Sequence, residues 1–168
     1  MGAKSAGLLV YRIATGGVVE VLIAHPGGPF WARKGDGSWT VPKGEYEENE
    51  DPQAAAFREF VEETGLELPR RDLLFLGELR QPSGKRVMVW ALETDLDVTQ
   101  ASSNTFELEW PRGSGLLREF PEVDRLEWVT VGLARKRLLK GQVPFLDRLL
   151  EAVGVAGGTE GTPTPPAD

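Results

Sequence analysis

The chain has 168 residues, 40% of them hydrophobic and 27% charged, the make-up of one ordinary globular domain. It has no cysteine, which excludes disulfides, thiolate metal sites and a cysteine nucleophile. The net charge of −7 is local, because Gly44–Leu66 holds eight of the 26 acids and one of the 19 bases. A concentration of this kind argues against nucleic-acid binding through a broad basic face and points to a place that collects cations. No apolar run approaches a membrane span and no signal-peptide pattern opens the chain, so cytoplasmic residence is the expectation.

Residues 4–14 (KSAGLLVYRIA) and 18–24 (VVEVLIA) read as paired strands around a Gly16-Gly17 turn. Residues 25–38 are rich in glycine and proline and irregular, and 39–41 form a short strand cut off by Pro42. Asp51 is an N-cap, Pro52 opens a helix, and Gly65 closes it in the left-handed conformation. Strands follow at 73–80 and 86–93 around a Pro82-Ser83-Gly84 turn. Residues 100–121 read as a long loop, 126–130 as a strand, and 131–139 and 144–153 as helices. The domain is expected over 1–153 and a disordered tail over 154–168. Strands mixed with helices in this order predict an α/β sandwich.

On a helical wheel Ala54, Phe57, Phe60 and Val61 share one arc, the predicted buried face. Glu59, Glu62 and Glu63 share the opposite arc, at i, i+3 and i+4. Like charges so placed repel, and hard divalent cations prefer such oxygen donors. An acidic helix face is otherwise merely solvated, so the surroundings decide.

From Gly44 the chain reads Gly44, five residues, Glu50, seven residues, Arg58-Glu59-Phe60, one residue, Glu62-Glu63, one residue, Gly65-Leu66. This resembles the Nudix box, G-x5-E-x7-R-E-U-x-E-E-x-G-U with U bulky and apolar, and every specified position is filled. The resemblance implies a mixed β-sheet between helices, with the box as loop, helix and loop. It implies hydrolysis of a pyrophosphate bond in a nucleoside-diphosphate-linked substrate with Mg²⁺ or Mn²⁺. It also implies that Glu59, Glu62, Glu63 and the Gly44 carbonyl bind metal, that one glutamate serves as base, and that Arg58 orients a carboxylate, with Glu50 as its structural partner.

Trp39-Thr40-Val41-Pro42-Lys43-Gly44 resembles the W-x-x-P-K-G lead-in of Nudix diadenosine polyphosphate hydrolases, which makes Lys43 a candidate phosphate contact. In those enzymes a loop glutamate lies six residues before a tryptophan; Glu122 stands so before Trp128, with Glu119 and Asp124 as competitors. Such a glutamate helps bind metal or activate water. Tyr46, Trp31 and Phe30 lie in or near loops flanking the box and are candidates for stacking on a base, though an aromatic so placed is more often partial core. Pro82, sixteen residues beyond Leu66, resembles a feature of Nudix ADP-ribose pyrophosphatases, but a hairpin turn explains it. His25, the single histidine, reads as incidental, and Arg135, Lys136, Arg137 and Lys140 as a solvated helix face. The upstream element of coenzyme A hydrolases is absent. The acids at 45–51 lack EF-hand spacing.

The expected substrate is a dinucleoside polyphosphate or nucleoside triphosphate, a small molecule rather than a nucleic acid or membrane. An ADP-ribose or nucleotide-sugar pyrophosphatase is the alternative. A non-catalytic nucleotide-sensing domain is a third reading, which the intact box carboxylates disfavour.

Overall fold

A computed structural model describes residues 3–154. Its centre is a six-stranded mixed sheet. β1 (Lys4–Ile13) pairs antiparallel with β2 (Val19–Pro26) and, at its other end, with β3 (Lys43–Glu45). On its far side β1 runs parallel to β5 (Arg86–Glu93), which pairs with β4 (Leu74–Arg80). β8 (Val123–Thr130) completes the opposite edge against β2.

β1 is central, so its sequence is apolar on both faces instead of alternating. Leu9 and Tyr11 enter one core with α2 (Val131–Arg137) and α3 (Pro144–Val153). Ala6, Leu8 and Val10 enter the other, with Ala55, Ala56 and Phe60 of α1 (Pro52–Thr64). The result is an α/β/α sandwich. No helix among the described residues is long and apolar enough to cross a membrane.

The α1 boundaries follow from the predicted caps. Asp51 accepts from the Ala54 N–H at 3.0 Å, and Gly65 stops the helix at φ 68° with its own N–H bonded to the Val61 carbonyl. The buried face differs from the wheel. Ala55, Ala56, Phe60 and Thr64 are buried, whereas Ala54 and Val61 are exposed. The arc is thereby rotated toward Glu59 and Glu63, which are half-buried, and away from Glu62.

Two other expectations are corrected. Residues 39–41 form bridges and no continuous strand, because their N–H groups go to different partners: Trp39 to the Arg137 carbonyl, Thr40 to that of Ala24, and Val41 to Gln142 Oε1 at 2.8 Å. The strand that pairs with β1 begins only at Lys43, after Pro42. The expected loop at 100–121 contains a two-stranded hairpin, β6 (Thr105–Glu109) and β7 (Leu117–Pro121), with Phe106 opposite Phe120. Its period-two pattern, Phe106 and Leu108 between polar residues, is the signal of a half-buried strand. The expected tail beyond Gly154 lies outside the described residues.

Candidate active site

The cleft opens where β3 crosses the start of β1, beside α1. It encloses about 330 Å³ and is lined by Lys43, Gly44, Glu59, Glu63 and Glu122, with Ser5, Glu45, Lys85 and Asn104. The last four escaped sequence reasoning. Ser5 and Lys85 are polar residues at strand starts, a weak signal, and Asn104 has none outside the tertiary structure.

The acids reach the cleft from different elements. Glu59 and Glu63 stand one turn apart on α1, so one helix face presents both. Glu63 Oε1 accepts the Lys43 backbone N–H at 3.3 Å, joining α1 to β3. Glu122 arrives between β7 and β8. Its N–H donates to the Asn104 carbonyl at 2.8 Å, and Asn104 in turn donates to the Glu62 carbonyl at 2.9 Å. Ser102 donates likewise to Thr64. The segment 102–104 thus satisfies carbonyls at the C-terminus of α1, which lack helical partners, and carries Glu122 with it.

The electrostatics are those of a crowded acid site. Burial pushes the Glu63 carboxyl up to about 8; Lys43 opposes this, and the charges of Glu59 and Glu122 add to it. Burial also raises Glu59, with help from Glu62 and Glu122. Lys43 is pushed below the usual lysine range, first by burial and then by the Lys85 charge. A carboxyl raised in this way marks above all a carboxylate that burial has taken out of water, with the neighbouring acids adding to the effect.

Arg58 and Glu62 do not line the cleft. Arg58 forks onto Glu50 at 2.9 and 3.1 Å and bonds Glu59 at 2.9 Å and Glu62 at 3.3 Å. It stands outside the cleft and pairs with three carboxylates. Glu62 is 41% exposed on the same outer side.

The stacking candidates fall elsewhere. Tyr46 packs under α1 with its hydroxyl 3.8 Å from Met88 Sδ. Phe30 lies edge-on to Trp110 at 5.5 Å, and Trp31 lies under Lys34 at 5.0 Å. None of the three lines the cleft. Glu119 faces Glu107 across the hairpin. Asp124 bonds His25 Nδ1 at 2.7 Å, while His25 Nε2 donates to the Lys34 carbonyl at 2.7 Å. His25 is therefore a fully buried clamp between the 25–38 loop and β8, and not incidental. Pro82 belongs to the β4–β5 turn and lines a neighbouring hollow of about 520 Å³ that shares Lys43 and Lys85 with the cleft.

The chemistry of the donors fits a hard divalent cation. Carboxylates surround one cleft, burial raises the Glu63 carboxyl in a way that a nearby cation would counter, and Gly44 stands so close to Glu59 that a Cβ there would overlap the carboxylate. The donors surround the space without converging: among the described residues no three acidic or histidine side chains already meet at one point.

Comparison with known proteins agrees. Curated RNA pyrophosphohydrolases match in part: that of Methylococcus capsulatus is 47% identical over 58 residues (34% of this chain, 29% of that one). Those of Photobacterium profundum (39% over 78 residues, 43% and 44% of the two chains) and Vibrio cholerae (34% over 85 residues, 48% and 46%) match similarly. The chain spans less than half the length of each of these relatives. Among solved structures, the NUDIX domain of Shewanella oneidensis NrtR, complexed with ADP ribose, superposes at TM-score 0.64 and 12% identity, over 91% of this chain and 89% of that one. A C. elegans Ap4A hydrolase superposes at TM-score 0.59 and 20% identity, over 90% and 97%. These identities speak for the fold alone. The NUDIX domain model matches residues 3–149, nearly all of the described chain, and with the complete box folded as loop, helix and loop at the cleft, the chain belongs to the Nudix family.

Proposed function

We propose that the protein is a divalent-metal-dependent pyrophosphohydrolase that cuts a phosphoanhydride bond in a nucleotide with three or more linked phosphates, a dinucleoside polyphosphate or a nucleoside triphosphate. The observation that carries this reading is the single cleft with Glu59, Glu63, Glu122 and Gly44 near Lys43. The carboxylates Glu59 and Glu63 and the Gly44 carbonyl would hold Mg²⁺ or Mn²⁺. Glu62, exposed at the rim and 3.3 Å from Arg58, would add a further donor from outside the cleft. When bound, the cation supplies the positive charge that lets a polyphosphate approach these acids and lowers the barrier to attack at phosphorus. Glu122 enters from a different element and takes the proton of the attacking water. Lys43 holds a phosphate as a point charge. The neighbouring hollow at Lys43 and Lys85 leaves room for the nucleoside.

A second reading is favoured by the curated relatives, whose name is RNA pyrophosphohydrolase. A triphosphate at an RNA 5′ end presents the same phosphate chain, and one end entering a cleft needs no broad basic face. Residue Pro82 keeps ADP-ribose as the alternative among small molecules.

A panel of diadenosine tetraphosphate, ATP, ADP-ribose and 5′-triphosphorylated RNA with Mg²⁺, its products separated by anion exchange, tests all of these. Turnover of none of them would defeat the reading.

A further inference from the structure

Where β2 meets the start of β8 the pairing slips by one residue. His25 stands opposite Arg125, but Pro26 stands opposite Val123, so Asp124 is an extra residue with no partner on β2. Such bulges are common beside active sites, where they re-aim a side chain. Here Asp124 bonds His25 Nδ1 at 2.7 Å. The neighbouring Arg125 guanidinium lies 5.1 Å over Trp39, the ring against which His25 packs edge-on at 5.3 Å. Two consecutive residues thus turn to one side, where regular alternation would separate them.

The bulge adjoins Glu122. The Glu122 carbonyl accepts the Gly27 N–H at 3.0 Å, and the Glu122 N–H donates to Asn104. The following N–H, that of Val123, donates to Ser103 Oγ at 2.9 Å. The Glu122 backbone is therefore gripped between two segments, 102–104 and 25–27. The first is tied to the end of α1. The second is tied by His25, which is fully buried and engages Asp124 through Nδ1 and the Lys34 carbonyl through Nε2. The approach is close: a Cβ on Gly27 would overlap the Pro121 carbonyl oxygen, next to Glu122.

We propose that His25 and Asp124 are positioning residues for Glu122: by locking the bulge they fix the backbone from which its carboxylate enters the cleft. This rests on the reading of Glu122 as the base toward water and deepens it. Neither His25 nor Asp124 lines the cleft, so both act only through Glu122. Misplacing a reacting group by about 1 Å costs up to roughly a hundredfold in rate, so loss of the pair falls on kcat and spares KM.

The test uses the full chain with Asp124→Ala, Asp124→Asn, Glu122→Gln and the double variant Asp124→Ala/Glu122→Gln. Asp124 is the residue to change because its side chain is 31% exposed and His25 stays in place to fill the interior. On diadenosine tetraphosphate with Mg²⁺, Asp124→Ala should lower kcat roughly tenfold and leave KM within about twofold. Asp124→Asn, which keeps an oxygen facing His25, should recover most of the loss. In the Glu122→Gln background Asp124→Ala should cost nothing further, because residues that act through one group are not additive. Amide hydrogen exchange reads the positioning without turnover. In Asp124→Ala the Gly27 and Glu122 N–H groups should speed up at least about tenfold more than that of Leu8 in β1. An equal loss of kcat in both backgrounds would show a general structural effect and overturn the proposal, as would the same change in exchange at all three amides. If wild-type protein turns over no nucleotide, the hydrolase reading fails, and the exchange rates alone decide whether the pair holds Glu122.

Discussion

Gly44 leaves the space that the Glu59 carboxylate occupies: a Cβ at position 44 would fall inside that carboxylate and force it to move. The role of the glycine is space and not backbone conformation, since its backbone lies in an ordinary strand pairing with Ala6. Gly44→Ala is expected to displace Glu59 and lower kcat by about two orders of magnitude, with far-UV circular dichroism unchanged. Glu59→Gln and Glu63→Gln should lower kcat comparably, and Glu62→Gln strongly. Glu47→Gln and Glu48→Gln, outside the cleft, should be nearly silent. Steady-state kinetics on the six variants checks this; damage from Glu48→Gln equal to that from Glu59→Gln would refute the assignment.

Chelation should abolish turnover, and Mg²⁺ or Mn²⁺ should restore it. The cation should also raise the melting temperature, since a ligand that binds only the folded state stabilises it by RT ln(1 + [L]/Kd). Full activity in excess EDTA would contradict the reading.

The raised Glu63 carboxyl gives the metal-free protein a pH dependence. Its folded value of about 8 lies above the ordinary 4.5, so the folded state holds a proton that the unfolded state releases. Stability from this group is full below about 4.5 and is lost as pH rises toward about 8. In EDTA, the melting temperature of Glu63→Gln relative to wild type should therefore climb between those limits. Parallel pH curves for the two proteins would show that the carboxyl is unperturbed.

Lys43→Ala should raise KM for diadenosine tetraphosphate and ATP more than for ADP-ribose, because a longer chain reaches Lys43 while engaging the carboxylates. Glu122→Gln should lower kcat on every substrate alike, since proton removal from water is independent of the leaving group. Ratios of kcat/KM across the three substrates separate the two roles. A preference for ADP-ribose with Lys43→Ala indifferent would favour the alternative at Pro82.

His25→Ala should destabilise the fold by roughly 2–4 kcal/mol, through two lost buried hydrogen bonds and a cavity beside Trp39. Urea denaturation measures it. A loss below about 0.5 kcal/mol would mean that the clamp contributes nothing.

By itself the sequence determined the elements whose causes are local. The Asp51 and Gly65 caps delimit α1, β1 is legible as an apolar run, and the complete box with its glutamate spacing names the family. These depend on neighbours within a turn or two of chain. Only the tertiary structure decided which side of α1 is buried, because Phe60 and Ala55 face a sheet that the wheel does not contain, and that rotation set Glu59 and Glu63 inside and Glu62 at the rim. It alone brought Ser5, Lys85 and Asn104 to the cleft that Glu122 shares with the α1 glutamates, and took Tyr46, Trp31 and Phe30 away from it, since strand register and the docking of 102–104 onto the end of α1 join residues remote in the chain. His25 shows the same limit: its partner Asp124 is 99 residues away, a pairing that β2 and β8 make by lying side by side and that no local pattern encodes.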